Sequence, residues 1–259
     1  MDFETIRLEQ SPAAVATITL DRADSLNALN AALIEELRAA IASLAGSGAR
    51  ALLLTGAGRG FSSGADLVAG GGLPDDVGAA LESHLNPLIE DVFALPIPVV
   101  AAVRGPCAGA GCSLALAADI VIASDTAYFL QAFINIGLVP DAGATWLLPR
   151  LAGRARAMEM MMLGERIPAR QAADWGLISR VVDDADLETE AAALAARLAQ
   201  GPTIAYGLLR RLARDAEQST LAQALAAERK AQTAAGRTED FRTAVTAFIQ
   251  KRTPSFEGR

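Results

Sequence analysis

Apolar positions along the chain change period between its two halves, and the change predicts two kinds of element. Val15–Leu20 and Ala51–Thr55 are short, nearly continuous apolar runs closed by the turn-formers Asp21 and Gly56, which is how buried strands read. Between them Leu33, Leu37, Ile41 and Leu44 recur at helical spacing behind Asn30, a residue type that caps helix N-termini. Val99–Val103 and Ile120–Ala123 repeat the strand signal, with a short helix predicted over Gly111–Ala118. From about Gly153 the glycine-bounded strand signal mostly fades, and Ala, Leu, Arg and Glu at helical period take over through Lys251. The pattern predicts an α/β chain with right-handed crossovers and a helical C-terminal quarter. Gly70–Gly72 followed by Leu73–Asp76 reads as the most loop-like internal segment and is expected to be mobile.

Composition narrows the partners. The chain has 259 residues, 52% of them hydrophobic, ample for one large domain or a core with a small appendage. Net charge is −7 and no Lys/Arg block resembles a footprint for nucleic acid or an anionic membrane, so neither is an expected partner. Cys107 and Cys112 are the only cysteines. They form neither a disulfide framework nor a four-ligand metal site, which fits a reducing, cytoplasmic setting. The N-terminus runs into an alternating segment without a basic-then-apolar leader, and no apolar run is long enough to span a bilayer; a soluble, unprocessed protein is expected. His84 is the only histidine, which removes a His-based triad and a multi-histidine metal site.

Two loops are candidates for chemistry. Gly60-Phe61-Ser62-Ser63-Gly64-Ala65-Asp66-Leu67 follows the Ala51–Thr55 strand, and its glycines allow backbone N–H groups to be presented outward. Val103-Arg104-Gly105-Pro106-Cys107-Ala108-Gly109-Ala110-Gly111-Cys112-Ser113 again follows a strand and enters a helix. Small residues there admit a ligand to the main chain, and a helix start presents unpaired N–H groups to developing negative charge. Either loop alone reads first as a structural turn.

Together the loops resemble the oxyanion hole of the crotonase (enoyl-CoA hydratase/isomerase) superfamily, in which each gives one peptide N–H to a thioester carbonyl. By that resemblance the donors are the amides of Ala65 and Ala110. The likeness continues through most of the chain: Asp24-Ser25-Leu26-Asn27-Ala28-Leu29 is similar to the early CoA-binding segment, and Pro98–Val103 to the strand before the second loop. Ala118-Asp119-Ile120, Gly137-Leu138-Val139-Pro140, Ala172–Leu177 and Lys251-Arg252-Thr253-Pro254 also match in order. The resemblance implies a spiral of ββα units over residues 1–200, a helical trimerisation region over 201–259, trimers that often pair into hexamers, and an acyl-CoA substrate. It implies no metal, flavin or nicotinamide, since coenzyme A arrives as part of the substrate. Substrate contacts carried over are Leu26 and Ala28, then Ser63, Gly64, Asp66 and Leu67 beside Ala65, Gly109 and Ser113 beside Ala110, and Phe133 and Lys251.

The chain departs from the hydratase pattern at the acid–base positions. Hydratases of the superfamily carry one glutamate just after the second loop and another in a later Q-P-E segment, where this chain has Ser113 and Phe133. Syn hydration must activate a water and deliver a proton, and neither residue takes up a proton at neutral pH. Instead Asp141 follows Pro140 in Leu138-Val139-Pro140-Asp141-Ala142-Gly143, at a position usually held by glycine. That arrangement resembles the isomerase branch, in particular the ring-epoxide isomerases of phenylacetate catabolism and the cis-3 to trans-2 enoyl-CoA isomerases, where the aspartate is catalytic. Spacing alone favours a different reading, a helix N-cap for the segment that follows. If Asp141 lies against Phe133, Ile134 and Val139, its pKa is raised, as suits a base.

The leading expectation is therefore isomerisation of an unsaturated or epoxidised acyl-CoA, with hydration and catalytically silent acyl-CoA binding as alternatives. A dehalogenase-like pairing of Asp141 with His84 is a further reading, with His84 slightly out of register. Asp66 reads as a loop brace, Ser113 as a small helix residue without a nucleophilic partner, and Met158, Met160, Met161 and Met162 as core or subunit-interface residues. Phe133 reads as an acyl-pocket wall or ordinary core; Lys251 and Arg252 read as CoA-phosphate ligands or a solvated pair.

Overall fold

The structure, a computed structural model, describes residues 3–67 and 76–259. Among these residues the strands are β1 (Ile6–Gln10), β2 (Val15–Leu20), β3 (Ala51–Gly56), β4 (Val99–Val103), β5 (Pro106–Ala108), β6 (Ile120–Ser124), β7 (Tyr128–Leu130), β8 (Ile167–Pro168) and β9 (Arg180–Val182). The helices are α1 (Ala31–Ser43), α2 (Val77–Ala80), α3 (Asn86–Ala94), α4 (Gly109–Leu116), α5 (Ala144–Ala152) and α6 (Arg154–Leu163), followed by α7 (Ala169–Asp174), α8 (Leu187–Ala199), α9 (Thr203–Ala216), α10 (Leu221–Ala235) and α11 (Glu239–Ile249). A π-helical turn over Leu81–Leu85 joins α2 to α3.

Six strands form one sheet in the order β1-β2-β3-β4-β6-β9, parallel throughout except for the antiparallel β1–β2 pair. A second sheet holds β5-β7-β8. The chain alternates between them: β4 passes through Arg104–Gly105 into β5, and β6 passes through a short turn into β7. Single parallel bridges, Leu29 with Ala65 and Ser62 with Cys107, extend the second layer toward the earlier turns. Each turn thus places one strand in the large sheet and one strand or bridge in the small one, which is the ββα spiral. Gly105 is required at one such passage, because its φ is +53° and a Cβ there would lie 2.1 Å from the Arg59 carbonyl oxygen.

The middle strands of the large sheet, β2, β3, β4 and β6, are buried on both faces, which is why they read as continuous apolar runs. Alternate residues face opposite cores: Ile18, Leu20, Leu52, Leu54, Val99, Ala101 and Val121 pack with α1, α3 and α4, whereas Val15, Leu53, Val100, Ala102 and Ile122 pack against α8. Helix α8 approaches through Ala191, Ala195 and Ala199 at four-residue spacing, so its backbone lies close to the sheet.

Several sequence expectations need adjustment. The four long strands and α1 fall where predicted, and Asn30 Oδ1 accepts the Leu33 N–H at 2.9 Å. Helix α4 begins at Gly109 rather than Gly111, which puts Ala110 in its first turn. After Gly153 two short strands remain, β8 and β9, the latter an edge of the large sheet, and the C-terminal quarter is helical as expected. Of the glycine-rich segment expected to be mobile, residues 70–75 lie outside the described residues, while Asp76 caps α2 by accepting from the Gly78 and Ala79 N–H groups at 2.8 and 3.2 Å. Met160 is buried and Met162 is exposed on α6. No helix among the described residues is long and apolar enough to cross a membrane.

Candidate active site

Hydrogen bonding at the first loop aims the Ala65 amide outward. Leu29 donates its N–H to the Gly64 carbonyl at 2.8 Å and accepts from the Asp66 N–H at 3.0 Å. In a parallel bridge of this kind the residue between those two bonds, Ala65, turns its own N–H away from the neighbouring strand. The Ala65 N–H has no acceptor among the described residues. Ala110, in the first turn of α4, is one of the residues whose N–H has no partner within the helix.

The two loops meet main chain against main chain. A Cβ on Gly64, whose φ is +95°, would stand 3.0 Å from the Ala108 carbonyl oxygen and 3.5 Å from the Gly109 Cα. Ala108 also donates its N–H to the Ser62 carbonyl at 2.9 Å. Ala65 and Ala110 each lie one residue beyond this contact, so loops far apart in sequence are brought together beside both residues.

Asp141 is set by a tight turn. Ala142 and Gly143 follow it at φ of +51° and +79°, and a left-handed alanine costs roughly 1–2 kcal/mol. The Asp141 carbonyl accepts from the Ala144 N–H at 2.9 Å and from the Ser113 hydroxyl at 3.2 Å. Its side chain does not cap the helix: the N-cap of α5 is Gly143, without a side-chain cap bond. Oδ1 of Asp141 is instead buried with no hydrogen-bond partner among the described residues. Burial pushes its pKa up from the ordinary carboxylate range to about 6. The sequence anticipated the direction; of the three apolar residues named with it, Phe133 is buried, whereas Ile134 and Val139 are exposed, Val139 at 79%.

The other predicted positions fall into two groups. Ser113 is fully buried and, unlike the plain helix residue expected, holds the Asp141 backbone. Phe133 is buried and its ring would lie 3.6 Å from a Cβ on Gly109, against the second loop. Leu26 has φ of +52° and its carbonyl accepts the Ser63 N–H at 2.9 Å; Ala28 is buried. Asp66 braces its loop through an ion pair with Arg22 at 2.9 Å, and the same guanidinium nitrogen donates to the Ala28 carbonyl. Leu67 and Lys251 are exposed, and no hydrogen bond or ion pair joins Lys251 to these groups.

Some residues are directed elsewhere. His84 Nδ1 lies 2.6 Å from the Ser83 hydroxyl and Nε2 lies 3.6 Å from Glu35, so both ring nitrogens are engaged away from Asp141. Cys107 and Cys112 are free, buried thiols, and burial pushes Cys107 well above its ordinary pKa, the opposite of a nucleophile. A cavity of about 730 Å³ is lined by Glu90, Phe93, Gly143, Trp146 and Arg214 among others, but by none of Ala65, Ala110 and Asp141. Arg22 and the Asn27 side chain were not singled out as contributors: besides local bonds within residues 22–28, Arg22 reaches Asp66 and Asn27 reaches the Ala57 and Gly60 carbonyls, contacts that no local pattern signals.

Comparison with known proteins is consistent with this geometry. The family model described as Enoyl-CoA hydratase/isomerase matches residues 10–259. A probable enoyl-CoA hydratase of Rhodobacter capsulatus is 47% identical over 259 residues, with 100% of each chain covered. The 1,2-epoxyphenylacetyl-CoA isomerase of Escherichia coli K12 is 46% identical over an alignment of 264 positions, again with 100% of each covered. Among solved structures, an enoyl-CoA hydratase from Bacillus anthracis superposes with a TM-score of 0.94 at 33% identity, covering 99% of this chain and 100% of its own.

Proposed function

We propose that this chain, which belongs to the enoyl-CoA hydratase/isomerase family, works on the isomerase side of it. The observation that carries the reading is the half-buried carboxylate of Asp141, whose Oδ1 is buried without a hydrogen-bond partner among the described residues, in a chain where Ser113 and Phe133 replace the two glutamates of a hydratase. The substrate is an unsaturated or epoxidised acyl-CoA; the likeness to 1,2-epoxyphenylacetyl-CoA isomerase supports the oxygenated option.

For an unsaturated ester, Asp141 takes a proton from the carbon next to the thioester. The electron pair left behind moves onto the carbonyl oxygen, and the Ala65 and Ala110 amides donate to that oxygen. One such donor is typically worth roughly 3–4 kcal/mol in the transition state. Asp141, now a carboxylic acid, returns the proton at the γ-carbon as the double bond shifts, and regains its charge. One carboxylate suffices because the proton leaves and returns without water. Syn hydration uses both a base and an acid, which favours isomerisation over the hydratase reading suggested by other relatives.

The test is a panel of linear and ring-bearing unsaturated acyl-CoA esters followed by mass spectrometry and NMR. An isomer of unchanged mass is expected. A product heavier by one water assigns a hydratase, and saturable binding without turnover assigns a silent acyl-CoA-binding protein.

Assembly as a trimer or hexamer is part of the same proposal. Helix α11 exposes Phe248 at 83% and Ile249 at 74%, α10 exposes Leu221 at 76%, and α6 exposes Met162 and Leu163, a concentration of large apolar side chains that favours burial against further copies. Sedimentation is expected to give a trimer or its double; monomer alone at micromolar concentration overturns it. The two free thiols support a cytoplasmic setting.

A further inference from the structure

Ser62 touches both halves of the proposed oxyanion hole. It is fully buried. Its hydroxyl donates to the Asn27 carbonyl at 2.8 Å and accepts the Gly64 N–H at 3.2 Å, fixing the peptide just before Ala65. On its other side it packs against Gly111, the residue just after Ala110: a Cβ placed on Gly111 would lie 2.5 Å from both Cβ and Oγ of Ser62. Its main chain joins the same loops, donating to the Pro106 carbonyl at 3.1 Å and accepting from the Ala108 N–H at 2.9 Å.

The anchor behind Ser62 is itself rigid. Asn27 is fully buried at φ of +55°, its Oδ1 accepts the Arg22 N–H at 2.9 Å, and its Nδ2 donates to the carbonyls of Ala57 and Gly60 at 3.0 and 2.9 Å. A hydroxyl held by so constrained an acceptor is a spacer of fixed length between Gly64 and Gly111. We infer that Ser62 is a positioning residue that sets the distance between the two amide donors at Ala65 and Ala110, and hence how strongly they polarise the thioester carbonyl. The inference rests on the oxyanion-hole reading given above. Ser62 meets no reacting atom; it acts through the two loops.

Geometry at such a site is worth a great deal, since displacement by about 1 Å costs on the order of a hundredfold in rate. Ser62→Ala removes the hydroxyl and frees the Gly64 peptide while keeping the Cβ against Gly111. Turnover for double-bond migration is expected to fall about ten- to a hundredfold, with KM for the ester within about twofold. The deciding readout is the thioester carbonyl stretch of bound crotonyl-CoA, labelled with ¹³C at that carbonyl. It is expected to shift downward on binding the wild-type protein and to recover toward its free value in Ser62→Ala. A merely structural serine would lower the unfolding midpoint and leave both the stretch and kcat of the folded protein unmoved, which overturns the inference. A wild-type protein that binds the ester without shifting the stretch removes the oxyanion hole itself, a separate failure. If Ser62→Ala does not fold, Ser62→Cys is read the same way: its longer, weaker bond should give a smaller stretch shift and lower kcat than wild type, and wild-type values for both overturn the inference.

Discussion

Asp141→Asn is expected to lower turnover for double-bond migration by about 10²–10⁴, the usual worth of a general base, while leaving binding of the CoA ester nearly intact. Asparagine keeps the size and much of the hydrogen bonding but has no site for the travelling proton. Exchange of α-protons of the acyl-CoA with deuterated solvent should be lost in parallel, because the same carboxylate forms the enolate. Burial raises the folded-state pKa to about 6, so with the reacting base required in its charged form, kcat/KM should be flat above about pH 6 and fall about tenfold per unit below it. The stability consequence has the opposite sense. An unfolded aspartate titrates near about 3.9, so the charged carboxylate disfavours the folded state above about pH 6, and that penalty disappears as pH falls past the unfolded value. The full shift corresponds to an upper limit of about 3 kcal/mol, and solvent at the open side of the carboxyl reduces it to about 1–2 kcal/mol. Asp141→Asn should therefore be at least as stable as the wild type at pH 7 while nearly inactive. Near-normal isomerase rates in this variant refute the mechanism.

The residues that the sequence left illegible have a common physical character. β2, β3, β4, β6 and α1 were visible because burial on both faces or along one stripe leaves a periodic mark in the residues themselves. β5, β7 and β8 run for only two or three residues, too short for any period, yet β5 and β7 carry the chain into and past the second loop. The start of α4 was misplaced because glycines at its first turn read as loop; Gly109 has φ of +52° and still opens the helix. At the candidate site, the two loops and Asp141 stood out by residue type and by resemblance. The contacts that hold them did not: Ser62 to Asn27, Arg22 to Asp66 and Ser113 to the Asp141 carbonyl join residues 35, 44 and 28 positions apart. Ser113 shows the limit best, since its type rules out proton transfer but says nothing of the carbonyl it supports.

Arg210→Met is expected to destabilise the protein by about 3 kcal/mol, measured by denaturant unfolding, although Arg210 belongs to a helix whose other side chains are not buried. Its side chain is 6% exposed and its Nε lies 2.7 Å from the Asp119 carboxylate. The two remaining nitrogens donate to the carbonyls of Leu95 and Val92, the latter at 3.2 Å, at the C-terminal end of α3. A cation there meets the negative end of the helix and satisfies carbonyls that α3 cannot pair internally. Asp119 in turn accepts the Val99 N–H at 2.7 Å where β4 begins. One guanidinium thus fastens α9, and with it the C-terminal helices, to α3 and to the starts of β4 and β6. Methionine fills a similar volume but leaves two carbonyls without the guanidinium donors and the Asp119 carboxylate with the Val99 N–H but no counter-charge from Arg210, and it is that loss of partners, rather than any missing volume, that weakens the fold. Asp119 is partly open to solvent, with its side chain 32% exposed, which places the expected loss at the low end for a broken buried pair. Arg50 supplies a second, independent fastening through Thr203, Gly201 and Phe256. The Arg210 variant should consequently fold, with early proteolysis near Gly201–Thr203 as the mark of a loosened C-terminal region. A cycle with Asp119→Asn should show a coupling of about 1–3 kcal/mol between the two positions. An Arg210→Met protein within about 0.5 kcal/mol of wild type shows that the clamp holds nothing.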